Sequence, residues 1–173
     1  GARIKFDASI APLLAGRPAG PLDKDSLRES LEAFVSDSAM LTLEPESVAQ
    51  DKSKGLYEQR LKVMSKAFCD IVVSKQWSND YASDMADLIL SPTIDITDAL
   101  TLCAAVMMAA LLSPDASKVM TLLKIYREAA DEKLKQRALI GWVFALDKGD
   151  YRLFPEISHG VNQLLEDKRF RDE

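Results

Sequence analysis

Chemistry in this chain would have to come from few side chains. His159 is the only histidine, and the two cysteines, Cys69 and Cys103, are dispersed. An imidazole can serve as a general base. His159, however, lies between Ile157 and Val161 with no serine, cysteine or carboxylate at a spacing that builds a relay, so it reads as a surface or interhelix side chain. One histidine and two scattered cysteines cannot compose the usual zinc sites. No CxxC pair, HExxH, GxSxG, glycine-rich phosphate loop or EF-hand loop occurs. Asp80 and Asp84 stand one helical turn apart and could hold a metal or trade a proton, but in an acidic chain such a pair reads as a solvated face. Asp95, Asp98 and Asp115 fall at helix starts, where a carboxylate meets the positive end of the helix dipole, and capping accounts for them. The residues therefore name no catalytic group, no metal ligand and no cofactor. What they offer for recognition is apolar: Trp77 at a helix break, Met107 and Met108 on an uncharged helix, and Trp142 beside Val143 and Phe144. A tryptophan in a groove anchors a partner and methionine adapts to one. These four are the candidate interaction residues, each with core packing as the plainer alternative.

The surrounding composition limits the setting. The chain has 173 residues, 22 basic and 27 acidic side chains, a net charge of −5 and 47% apolar residues. A domain of this size buries about 70% of its extended-chain surface without staples, which excludes disorder, collagen and a disulfide scaffold. The acidic balance argues against a broad nucleic-acid surface. Lys133, Lys135 and Arg137 do not share one helical stripe, and Lys168, Arg169 and Arg171 run into Asp172 and Glu173. Gly1 in place of Met reads as a residue left by cloning on a segment of a longer protein. Unpaired cysteines within apolar patterns predict a reducing compartment, the cytoplasm. The longest apolar run, Ala99 to Leu112, makes about 21 Å of helix against a bilayer core of about 30 Å. It predicts a buried helix and no membrane insertion.

Helices must position these residues. Pro12, Gly16, Pro18, Gly20 and Pro21 predict an extended arm or linker over 1–22, leaving 23–173 as a single all-α domain. Ser26 with Glu29 makes a capping-box pattern, followed by Leu27, Leu31, Phe34 and Val35 on one face. The polar stretch 41–55, with Pro45 and Gly55, predicts a long loop, functional or mobile. Beyond it, Leu61, Met64, Phe68, Ile71 and Val72 stripe a helix over 57–75. Ser78 or Asn79 caps the next, with Tyr81, Met85, Leu88 and Ile89. Asp95 or Thr97 opens the apolar helix that ends at Leu112. Ser113 as cap, Pro114 in the first helical position and Asp115 facing the dipole open another, with Val119, Leu122, Leu123 and Tyr126. Asp131 opens one that runs through Trp142 to Leu146, and a last helix covers 153–168. No stretch alternates with a period of two, so no strand is predicted.

The breaks recur. Ser78 to Leu112 and Ser113 to Leu146 each read as helix, tight turn, helix, a unit of about 35 residues. Cys103–Leu111 then lies over Ala138–Leu146, two apolar second helices that cannot be buried within one pair and must stack. With Asp131 in the turn, Arg137 six residues on, and Ala138 and Gly141 in the second helix, Asp115–Leu146 resembles the HEAT-repeat family, where a turn aspartate and a following arginine or lysine build a polar ladder between units. In the preceding unit Leu102 occupies the arginine position and Asp95 is one residue out of register. The helix of 57–75 then reads as the second helix of an earlier unit whose first is 26–40, and 153–168 as the opening of a further one. The alternative is an irregular helical bundle. The resemblance implies an α-α superhelix, HEAT- or armadillo-like, whose work is display: a non-catalytic protein-interaction or scaffolding domain for a protein partner or another domain of the parent chain. It also implies an alternative of another class, because some HEAT-like solenoids are DNA glycosylases that hold duplex on a basic face with tryptophans and a catalytic aspartate. This chain has the tryptophans and aspartates without the basic excess. The uncharged helix 99–112 has two readings as well, a wholly internal helix or a face for domain or subunit association, including a homo-oligomer.

Overall fold

The structure, a computed structural model, describes residues 22–148 and 155–166. Among these it has seven helices and no strand: α1 (Lys24–Leu41), α2 (Glu46–Val72), α3 (Asn79–Ile89), α4 (Ile96–Leu112), α5 (Ala116–Glu128), α6 (Glu132–Lys148) and α7 (Pro155–Glu166). The all-α class holds. The arm expected over 1–22 lies, save for Leu22, outside the described residues.

Short polar side chains start most of these helices, because the first amides of a helix have no partner within it. Ser78 caps α3 and accepts the Tyr81 N–H. Asp95 caps α4, and Asp131 accepts the Leu134 N–H at 2.9 Å to open α6. Two expected caps move. Asp23, not Ser26, caps α1 by accepting the Ser26 N–H at 3.2 Å. Asp115, not Ser113, caps α5 and leaves Pro114 outside the helix. In both cases a carboxylate within three residues takes the place of the hydroxyl, and it also complements the dipole.

The loop expected over 41–55 is mostly helix. Only Thr42–Pro45 separates α1 from α2, which runs unbroken for 27 residues. Pro45 stands at its N-cap, where a missing N–H removes no helical bond. Residues 46–55 are nearly all exposed, and a Cβ placed on Gly55 would meet nothing within 4 Å. Their polarity reflects a helix end in solvent, with alanine, glutamine and lysine supplying propensity.

The helices pack in two rows. α1, α3, α5 and α7 are successive neighbours in the first row, α2, α4 and α6 in the second, and the hairpins α1–α2, α3–α4 and α5–α6 connect them. Several hydrogen bonds between neighbours in a row join residues 37 to 39 apart, among them Trp77 to Asp115, Thr121 to Ala82, Arg60 to Asp98 and Arg137 to Leu100, while Lys124 to Ser83 spans 41 and Lys24 to Asp84 spans 60. One continuous core gathers side chains of both rows, with Leu31, Ile71, Met85, Leu102, Val106, Leu122 and Ile125 fully buried. α4 is its central helix. It touches α2, α3, α5 and α6, and from Asp98 to Ser113 none of its residues is exposed, which suits a helix apolar on every side. Its outward stripe of Ala104, Met108 and Leu111 stays half-buried. α4 and α6 approach closely at Gly141, where an added Cβ would fall 2.9 Å from Met107 Cγ. Among the described residues no helix is long and apolar enough to cross a membrane.

A candidate binding cleft between α2 and α4

Where α4 packs tightly on α6, it leaves a cleft of about 460 Å³ against α2. One wall is the α2 stripe of Tyr57, Leu61, Met64 and Phe68, and the other is the first turns of α4, with Asp95, Thr97, Asp98 and Thr101. The α2 residues recur every three or four positions and so share a face. Arg60 interrupts that face with a charge and reaches α4. Its Nε donates to Asp98 Oδ1 at 3.0 Å, while NH2 stands 3.0 Å from the same oxygen and 2.9 Å from Asp95 Oδ1. Asp95 Oδ1 also accepts the Thr97 N–H at 2.7 Å as the helix cap. Asp98 is only 4% exposed, and its second oxygen, Oδ2, is buried with no hydrogen-bond partner.

The two carboxylates behave differently. Burial pushes the Asp98 carboxyl above its ordinary value, against the opposing pull of Arg60. Burial acts upward on Asp95 too, but the Thr97 hydrogen bonds and Arg60 overcome it and hold that carboxyl below its ordinary value. For Arg60, burial works against the charge, and the bonds and charges of Asp98 and Asp95 outweigh it, so the guanidinium keeps its proton more tightly. One guanidinium is thus shared by two carboxyl groups shifted in opposite directions, Asp95 toward its ionised form and Asp98 away from it.

None of the four residues singled out in the sequence lines this cleft. Trp77 is buried at the α2–α3 connection. Its indole N–H donates to Ser74 Oγ at 2.7 Å, its backbone N–H donates to Asp115 Oδ2 at 2.6 Å, and Tyr81 meets its ring edge-on at 5.0 Å. Trp142 is buried in the core of α6, its Nε1 without a hydrogen-bond partner. Met107 packs on Gly141, and Met108 lies half-buried on the outward stripe of α4. The polar candidates are also dispersed. His159 and Asp80 are exposed, and Asp84 pairs with Lys24 of α1. Arg137 donates to the Leu100 carbonyl at 3.0 Å, while Asp131 caps α6. Cys103 is buried, its thiol pushed up to about 12 by burial, which leaves it unreactive. Among the described residues no group of three or more His, Cys, Asp or Glu could hold a metal ion.

Two polar residues escaped the sequence reading. Asp98 looked like one more carboxylate at a helix start, and Lys118 carried no signal that set it apart. Lys118 is fully buried and donates to the Ser74 carbonyl at 3.0 Å. Burial pulls its pKa below the ordinary value, with Asp115 pulling back. The signal for the cleft was Arg60 itself, a charge set among Tyr57, Leu61 and Met64. A second hollow, of about 290 Å³ between α3 and α5, is lined by side chains that bond one another, such as Ser117 to Asn79 and Lys124 to Ser83. Set against known protein families, curated proteins and solved structures, the chain matches none.

Proposed function

We propose that the chain is a helical-repeat interaction domain, HEAT-like in its stacking, that scaffolds a protein partner along the outward face of its second row. The two-row packing and the recurrent 37-to-39-residue spacing of hydrogen bonds between neighbours support a stacked helical repeat. The binding role rests on one observation. Large apolar side chains stay exposed on both flanks of α4: Tyr57 at 65% and Leu61 at 54% on α2, Ile140 at 52% and Phe144 at 57% on α6. Apolar surface of this kind is stabilised by about 25 cal/mol for each Å² removed from water, and most of the large apolar side chains exposed on the helices belong to the second row, with Val35 and Met40 on α1 in the first, which favours the second row as an interaction face. Glycosylase-like chemistry on the same repeats draws no comparable support, since no basic stripe accompanies the tryptophans.

The test is affinity capture from lysate, with and without nuclease treatment, using the chain and a Tyr57→Ser, Leu61→Ser, Ile140→Ser, Phe144→Ser variant. A defined protein retained by the first and lost by the second supports the reading. Equal retention by both refutes this face, and retention that vanishes with nuclease replaces the protein partner by nucleic acid.

A further inference from the structure

The outward face of the second row carries a ridge and a cleft on opposite flanks of α4. Ile140 and Phe144 stand one turn apart on α6, 52% and 57% exposed, and form the ridge. Across α4 lies the cleft of about 460 Å³, walled by Tyr57, Leu61, Met64 and Phe68 of α2. Between them runs the uncharged, half-buried stripe of Ala104, Met108 and Leu111. The polar end of the cleft is bonded within the chain, Arg60 to Asp95 and Asp98, and Thr101 to the Thr97 carbonyl. An entering side chain therefore meets the apolar α2 wall.

Because ridge and cleft share one face, a two-fold axis lying in that face, over α4, exchanges them. It brings the ridge of each copy to the cleft of the other, an isologous contact that closes on itself. The area is sufficient. Tyr57 and Phe144, each more than half exposed, offer roughly 120 Å² apiece. With Leu61, Ile140 and Val143, each near half exposed, and the half-buried Met108 and Leu111, the apolar surface is about 500 Å² per copy. Two copies would cover about 1,000 Å² of it, and homodimer interfaces are about 65% apolar. The whole contact is then about 1,500 Å², within the range of about 1,200–2,000 Å² for a stable interface.

We propose that this face joins two copies of the chain, with Ile140 and Phe144 of each seated in the α2–α4 cleft of the other. The inference rests on the interaction-domain reading and names a second copy as the partner of its face.

Sedimentation equilibrium of the chain tests it. Interfaces of this size bind with dissociation constants from about micromolar downward, so at about 100 µM the mass should be near twice 19.1 kDa. Phe144→Lys and Leu61→Glu, both at exposed positions, should each weaken association by at least about thirtyfold, the loss at an interface hot spot. Circular dichroism checks that both fold. Mixed together, the two variants should dimerise again, because one ridge and cleft remain unaltered and the other pair sets lysine against glutamate. A dimer indifferent to both substitutions would overturn this face as its interface. A dimer lost in both variants and not restored on mixing would overturn the seating of ridge in cleft. A monomer of 19.1 kDa at about 100 µM would overturn the second copy, and if that monomer still captures a lysate protein through Tyr57, Leu61, Ile140 and Phe144, the interaction-domain reading stands without it.

Discussion

Gly141→Ala tests the close approach of α4 and α6 on which the second row depends. Two effects oppose each other. Alanine is better than glycine within a helix by about 1 kcal/mol. Against this, the new Cβ would fall 2.9 Å from Met107 Cγ and 3.0 Å from Met107 Cβ. Both atoms are near the α4 backbone and cannot swing aside as the end of a side chain can. Overpacking of this kind costs about 1–3 kcal/mol, so the net change is a loss of about 1 kcal/mol. Gly55→Ala is the control, because nothing lies within 4 Å of its added Cβ and the propensity gain of about 1 kcal/mol should appear whole. The two alanine variants should thus differ by about 2 kcal/mol, or about 6 °C in Tm for a domain of this size. Thermal and urea unfolding followed by circular dichroism measures both. A double-mutant cycle with Met107→Ala should recover about 1 kcal/mol of coupling, as expected for residues in contact. If Gly141→Ala stabilises as much as Gly55→Ala, α4 and α6 do not meet at this glycine, and the outward face built on them loses its support.

Asp115 both caps α5 and accepts the Trp77 N–H. Asp115→Ala should therefore cost about 2–3 kcal/mol in urea unfolding, against about 1 kcal/mol for Ser78→Ala, which removes a cap alone; equal losses would refute the second role. Burial raises Cys103 from 9.0 and Tyr81 from 10.0, each to about 12. The unfolded chain therefore releases those protons first, and the stability they contribute is complete below pH 9.0 and is lost as pH rises through about 12. Urea titrations across that window should show the loss, with a shallower slope in Cys103→Ala; an unchanged slope would place Cys103 outside the core. Both tryptophans are buried, so acrylamide should quench their emission several-fold less than that of the urea-unfolded chain. Quenching equal to the unfolded chain would contradict the placement of Trp77 and Trp142.

Local chemistry was legible where one residue decides the outcome. Asp131 begins α6 as its position before an apolar stripe predicts, and of the paired candidates Ser78 or Asn79 and Asp95 or Thr97 it is Ser78 and Asp95 that cap α3 and α4. The first half of α2 was not legible, because helix propensity without a buried face resembles a polar loop. The tryptophans carried two readings, recognition and core packing, and both lie buried. Their size suits recognition, and only tertiary packing reveals that Ser74, Tyr81 and the core already occupy them.

The unit length read from the sequence depends on which residues open its helices. The shorter unit of about 35 residues takes Ser113 as a cap. With Asp115 in that role the unit lengthens by two residues and approaches the spacing of the hydrogen bonds between neighbours, 38 for Trp77 to Asp115. In the first row this aspartate is closed: Oδ1 accepts the Ser117 N–H and Oδ2 the Trp77 N–H. In the second row the bond at the same spacing of 38, Arg60 to Asp98, leaves one carboxylate oxygen buried and unpartnered. An aspartate whose work is only to join two helices has reason to be satisfied on both oxygens, since each unpaired buried acceptor costs about 1–3 kcal/mol. The bond is thus satisfied on both oxygens in the first row and leaves one buried acceptor unsatisfied in the second, so the Arg60–Asp98 contact is the less stabilising of the two.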